Sequence, residues 1–384
     1  MKRTPFGRIV LSWTLIAAAA AGGALAEDSR SVNGHAEAPP AVLVDADGTV
    51  HLPPLAVPLS SYLSPQARAG TAAYFRFLQT PASELFMRPP EPASLAEQRR
   101  QFAEHYRPVL ERVKQLYPTQ SAAATLGGVR VDVITPAAGI AAGNKDRVLI
   151  NLHGGGFSMG AQTMSALESI PVASLGRIKV VTVDYRQALE YKFPAASEDV
   201  ATVYRELLKT YRPQSIGIYG CSAGGFLTAE AVAWIQKEHL PAPGAIGIFC
   251  ASASGWFGGD SRYLALPLIG IKTTSQVATQ RHPSVPDRAY FSEADLNDPL
   301  VVPMNSPSVM ARFPPTLLIT STRDNAMSSV VHTHAQLIKL GVEADLHVWE
   351  GLPHSFFTFE PDFPESREVW DVVVRFFDTH LSAS

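Results

Sequence analysis

The chain has 384 residues, 46% hydrophobic and 17% charged, with a formal net charge of −3. Such a composition excludes a disordered or fibrous chain and leaves enough apolar mass for a large core, as one decorated α/β domain or two domains. Mild acidity without basic clusters argues against nucleic acid as a partner.

The first residues read as an export signal. Lys2, Arg3 and Arg8 precede an apolar run over 9–21, and Ala24-Leu25-Ala26 supplies a small-x-small cleavage pattern, so a signal peptide is expected over 1–26. The apolar run is short for a membrane span, and no later segment has the unbroken length of one. The expected mature protein is exported, periplasmic or secreted, with no stable membrane anchor after cleavage. Losing those three cations takes the net charge from −3 to −6.

An N-terminal arm and cap helices are expected over 27–125. The stretch 46–60, ADGTVHLPPLAVPLS, reads as an extended arm with turns. Helical spacing of apolar residues runs over 94–118, with Pro108 expected to end or kink the helix.

The rhythm changes near the expected domain boundary at 126, and a catalytic domain is expected over 126–384. Strands are expected at 129–136, where apolar and polar residues alternate, and at 147–154 and 179–185, which are apolar runs of strand length. A helix over 197–211 has Ser197 as its expected cap. The strand at 215–220 runs directly into a helix from Ala223 to about Glu238, and another strand follows at 245–252. Less regular sequence occupies 254–315, with a cap insertion expected at 255–295. A strand at 316–324, a helix at 328–341 closed by Gly341, a strand at 344–351 and an amphipathic helix at 367–381 complete the chain. Alternating strands and helices imply a mostly parallel sheet covered on both faces.

Two stretches match Gly-x-Ser-x-Gly: GFSMG at 156–160 and GCSAG at 220–224. One active site needs one nucleophile. Ser222 sits between a strand and a helix, the setting that lifts a hydroxyl above the end of a sheet. Ser158 instead lies inside the glycine-rich loop that follows His153. Successive glycines there allow backbone N–H groups to approach a substrate oxygen, and Ser158 is expected to be a loop hydroxyl holding the backbone. A serine nucleophile needs a base and an acid that orients it, in the chain order Ser, Asp or Glu, His for this type of sheet. Asp324 and His354 each follow a late strand. His347 falls within a strand, and His332 and His334 fall within a helix two apart, without further metal ligands. Cys221 and Cys250 form no Cys-x-x-Cys and are expected as small buried thiols, although an exported protein could join them.

Together, HGGGF, DYRQALEYKFPAASEDV and GCSAGG, with Asp324 and His354, closely resemble the hormone-sensitive-lipase-like branch of the α/β-hydrolases. The resemblance runs from about residue 129 to the C-terminus. It implies an α/β-hydrolase fold with a helical cap and a serine carboxylesterase acting on small to medium acyl esters, with no cofactor and no metal. It makes Ser222 nucleophile, His354 base and Asp324 acid, with backbone N–H groups of Gly155, Gly156 and Ala223 as oxyanion donors. Departures are Cys221, where this branch often has Asp, Asn325-Ala326 after the acid, and Leu189 in place of proline. By this resemblance Tyr185 and Arg186 are scaffold behind the site. The motifs leave open a lactonase or amidase using the same residues, or a non-catalytic binding protein on this fold. A homodimer is compatible with the sequence.

Overall fold

A computed structural model describes residues 42–52, 54–81, 83, 95–254, 258–271 and 289–382. The expected signal peptide lies outside these residues, as do 255–257 and 272–288 of the expected cap insertion. The chain divides into two compact units, residues 1–56 and 57–384. In the first, β1 (Leu43–Val44) and β2 (Val50–His51) form an antiparallel hairpin. Its turn is closed by hydrogen bonds from Asp45 N–H to Thr49 O at 2.8 Å and from Gly48 N–H to Asp45 O at 2.9 Å.

The second unit begins with two helices, α1 (Pro65–Phe77) and α2 (Leu95–Leu116). Ser64 caps α1 by accepting from Ala67 N–H at 3.1 Å, and Pro65 takes the first helical position, where its missing N–H costs nothing. Pro108 does not end α2, which continues to Leu116. Pro108 is exposed, so water can satisfy the carbonyl that its ring frees, while Val113 anchors the helix on the buried side.

A sheet follows, of eight strands among the described residues: β3 (Thr119–Leu126), β4 (Val129–Pro136), β5 (Val148–Leu152), β6 (Lys179–Val183), β7 (Ile216–Cys221), β8 (Ala245–Phe249), β9 (Thr316–Arg323) and β10 (Ala344–Pro353). The spatial order is β10-β9-β8-β7-β5-β6-β4-β3. Pairings from β6 to β10 are parallel, whereas β4 joins β6 and β3 joins β4 antiparallel. The sheet therefore starts at Thr119, before the domain boundary expected at 126. Small and polar residues make up most of β3, exposed along nearly its whole length, so it carries no apolar alternation.

Side chains alternate across the sheet as a period of two requires. Val148, Ile150, Leu152, Ile216 and Ile218 face one core with α4 (Ala195–Leu207) and α5 (Ala223–Lys237). Leu149, Val180 and Tyr219 face the other, with α3 (Met164–Gly176) and, after the helices α6 (Ser261–Leu268), α7 (Pro307–Met310), α8 (Met327–Lys339) and α9 (Phe356–Phe359), with α10 (Pro364–His380). Ala67 of α1 and Val113 of α2 belong to this second core. Ser197 is not a cap: α4 starts at Ala195, and Ser197 is buried in its first turn. Tyr290 Oη accepts from Ala196 N–H at 2.7 Å, meeting a need that a capping side chain would otherwise meet. Among the described residues no helix is long and apolar enough to cross a membrane.

Candidate active site

At the C-terminal end of β7 the chain turns sharply into α5. Ser222 stands between them at φ 58° and ψ −119°, a backbone conformation that is costly for a side-chain-bearing residue. The surroundings hold it there: its N–H donates to Phe249 O on β8 at 2.8 Å, and its carbonyl accepts from Phe226 N–H at 3.1 Å inside α5. The turn also demands close backbone approach. A Cβ on Gly224 would lie 1.6 Å from Leu152 O, at the end of β5. That contact packs the start of α5 against the strand that leads into the HGGG loop.

His354, in the loop after β10, is 2.9 Å from Ser222 Oγ through Nε2 and 2.7 Å from Asp324 Oδ1 through Nδ1. Asp324 is fully buried, while the His354 side chain keeps 31% of its surface. Burial pushes the Asp324 carboxyl up, but the facing His354 outweighs it, helped by hydrogen bonds from Ala326 N–H (2.9 Å) and Thr320 Oγ1 (2.9 Å), and the carboxyl ends below its ordinary value. An ionised Asp324 only accepts, so His354 Nδ1 carries the proton and Nε2 offers its lone pair to the serine hydroxyl. Cys250 Sγ, Asp324 and His354 bring ligand atoms within 4.8 Å of one another. A metal there would have to break the Asp324–His354 hydrogen bond, and burial pushes the Cys250 thiol up, away from the thiolate a metal needs. Cys221 and Cys250 are both buried and free, with Cys221 Sγ 3.0 Å from Ser355 Oγ.

The HGGG loop closes on itself. Gly155 has φ 119°, and a Cβ there would stand 2.1 Å from Met159 O, so only glycine lets the turn close. Among the described residues, no protein acceptor takes the N–H of Gly155, Gly156 or Ala223. Ala223 is the first residue of α5, where the helix dipole favours negative charge. In Ser158, among the described residues, the carbonyl and not the hydroxyl is engaged: it accepts from Arg99 Nε at 2.7 Å.

Behind the loop lies Glu168 of α3, fully buried. Its Oε1 accepts from Gly154 N–H at 2.8 Å and its Oε2 from Asn151 Nδ2 at 3.0 Å. Burial outweighs these donors and pushes its carboxyl up to about 8. His153 stacks on Tyr185, with ring centroids 4.4 Å apart, and Tyr185 Oη donates to His153 O at 2.7 Å. Burial takes His153 down to about 4, so it is neutral, and its Nδ1–H donates to Gly154 O at 2.7 Å. Arg186 pairs with Asp199 at 2.9 Å and Glu198 at 2.9 Å. Tyr185 and Arg186 thus contact scaffold rather than the Ser222–His354 pair.

A cavity of about 410 Å³ borders His354. Its walls come from α1 and α2 through Tyr74, Phe77, His105 and Tyr106, and from Phe359 and Glu360 after β10. Tyr106 stacks on Phe359 at 4.7 Å, and with Tyr74, Phe77 and Phe356 they make five of the twelve lining residues Phe or Tyr.

A family model described as alpha/beta hydrolase fold matches residues 149–358. An acetyl-hydrolase of Streptomyces hygroscopicus is 25% identical over 239 residues, covering 61% of this chain and 76% of the relative. The crystal structure of an esterase, E25, overlays with a TM-score of 0.73 and 29% identity, over 86% of this chain and 99% of that one. An esterase from the bacterial hormone-sensitive lipase family overlays with a TM-score of 0.67 and 23% identity, over 83% of this chain and 99% of that one, and shares the fold. The chain belongs to the α/β-hydrolase-fold family. Within that family it is a carboxylesterase.

Proposed function

We propose that this esterase works through an acyl-enzyme on Ser222. The observation that carries the reading is the continuous hydrogen-bonded chain from Ser222 Oγ through His354 to buried Asp324. His354 Nε2 takes the serine proton as Oγ attacks the ester carbonyl, and Asp324 stabilises the imidazolium that forms. The carbonyl oxygen becomes an oxyanion facing the N–H groups of Gly155, Gly156 and Ala223, whose hydrogen-bonding capacity is unspent within the protein. His354 then protonates the leaving alcohol. Water enters, gives its proton to His354 and attacks the acyl carbon, and Ser222 leaves with that proton. No step calls for a cofactor.

The substrates in this reading are small to medium acyl esters. The aromatic cavity beside His354 receives one organic group of the ester, and its volume limits that group. Export to the periplasm or medium is part of the proposal and rests on residues 1–26 alone. The test is hydrolysis of p-nitrophenyl esters from acetyl to dodecanoyl, alongside fluorophosphonate labelling. Fast short-chain turnover and one label on Ser222 are expected. Folded protein that turns over no ester and takes no label would remove the reading.

A further inference from the structure

We propose that Arg99, on α2 and outside the sheet, is a positioning residue for the oxyanion donors; the proposal rests on the acyl-enzyme reading above. One guanidinium reaches three residues in two segments of the chain. Its Nε donates to Ser158 O at 2.7 Å and its Nη2 to Ala188 O at 2.7 Å. The two terminal nitrogens also grip Glu190 in a fork, Nη1 to Oε1 at 2.7 Å and Nη2 to Oε2 at 2.9 Å.

These contacts close a ring around the loop. Ser158 and Met159 N–H groups fold back onto Gly155 O at 3.2 Å and 2.9 Å. Ala188 N–H donates to Phe157 O at 2.8 Å, so Ala188 is bonded to the loop on one side and to Arg99 on the other. Across the loop, Glu168 takes Gly154 N–H. The donors of Gly155 and Gly156 are thus held between a carboxyl fixed in α3 and a guanidinium fixed on α2.

The physical need is plain. Glycines let N–H groups approach a substrate, but they also give the loop the most freedom to lose on ordering. Oxyanion stabilisation works only when donors are in place before charge develops. A planar fork serves this better than a point charge, because it fixes direction at two carbonyls and a carboxylate together. The Arg99 and Glu190 side chains keep 31% and 50% of their surface, so the pair adds little to global stability. Its effect belongs in turnover.

The experiment compares wild type with Arg99→Ala, Arg99→Lys and Glu190→Gln in the full chain. Active sites are first counted by fluorophosphonate titration, and kcat and KM for p-nitrophenyl acetate are then expressed per titrated site. Arg99→Ala is expected to lose about 10- to 100-fold in kcat, with KM changed by less than about threefold. Guanidinium chloride below denaturing concentrations should restore part of that loss. Arg99→Lys should stay impaired despite its charge, and Glu190→Gln, which keeps both carbonyl contacts, should lose least. A kcat per site within about twofold of wild type in Arg99→Ala overturns the proposal, as does a loss confined to KM. If Arg99→Ala does not fold, Arg99→Lys at wild-type kcat overturns it equally. Wild type that cannot be titrated overturns the acyl-enzyme reading, and the positioning role with it.

Discussion

The two Gly-x-Ser-x-Gly stretches share a pattern and differ in almost everything else. Around Ser222 the glycines serve packing: Gly224 lets a helix press against the end of β5, and the serine is held at a strained φ with its side chain toward His354. Around Ser158 the glycines serve closure: the turn folds onto Gly155 O, leaves N–H groups unspent, and relies on Arg99 and Glu168 for stiffness. A five-residue motif therefore specifies neither strain nor chemistry. The elements on either side do that, strand and helix for one, strand and open loop for the other.

The sharpest way to break this contrast is to remove each hydroxyl in turn. Ser222→Ala is expected to lose at least about 10⁴-fold in kcat on p-nitrophenyl acetate, because the proposed nucleophile is gone. Ser158→Ala should stay within about threefold, since its carbonyl is the part in use. Comparable losses in the two variants would dissolve the division of roles.

A smaller effect is expected inside the loop. Gly155→Ala puts a Cβ 2.1 Å from Met159 O, whereas one on Gly156 would meet nothing closer than Ser158 Oγ at 3.9 Å. Gly155→Ala should cost about 100-fold in kcat and Gly156→Ala about 10-fold, the latter through its positive φ alone. The reverse order, measured per titrated site, would show that closure of the turn is not what presents the donors.

The smallest effect concerns stability. The Glu168 carboxyl is raised in the folded protein to about 8 from an ordinary 4.5. The folded state therefore keeps a proton that the unfolded chain releases. The stabilisation linked to this group is fully present below 4.5 and is lost as pH climbs through about 8. Glu168→Gln cannot titrate, so its urea midpoint should fall less than that of wild type between about pH 5 and about pH 9. Parallel curves would remove Glu168 from the account of pH dependence.

Much of this was open to reading in the sequence, for identifiable reasons. Strands β5 to β9 lie in the middle of a parallel sheet, so they appear as apolar runs. Ser222 was marked by the strand before it and the helix after it. Helix α3 carries no such mark: Met164, Leu167, Ile170, Val172 and Ala173 are all buried, so it shows no apolar stripe against a polar face, and Pro171 sits inside it. Strand β3 carries none for the opposite reason, being exposed on both faces. Arg99 and Glu168 left no local mark. Arg99 meets its partners 59 and 89 residues further along, and a glutamate in a helix ordinarily belongs to solvent.

The N-terminal helices share one hydrophobic core with α3 and α10. Ser64 is bonded through N–H and hydroxyl to Glu365 at 2.7 Å and 2.9 Å, and Arg112 grips Asp362. This has a bearing on modularity. A laboratory that sought new substrate scope by grafting a foreign segment over 65–116 would be transplanting part of the scaffold, along with the arginine that reaches the loop. Recombination across that seam would have to carry both sides together, whereas point changes at Phe77 or His105, which line the cavity beside His354, leave the seam intact.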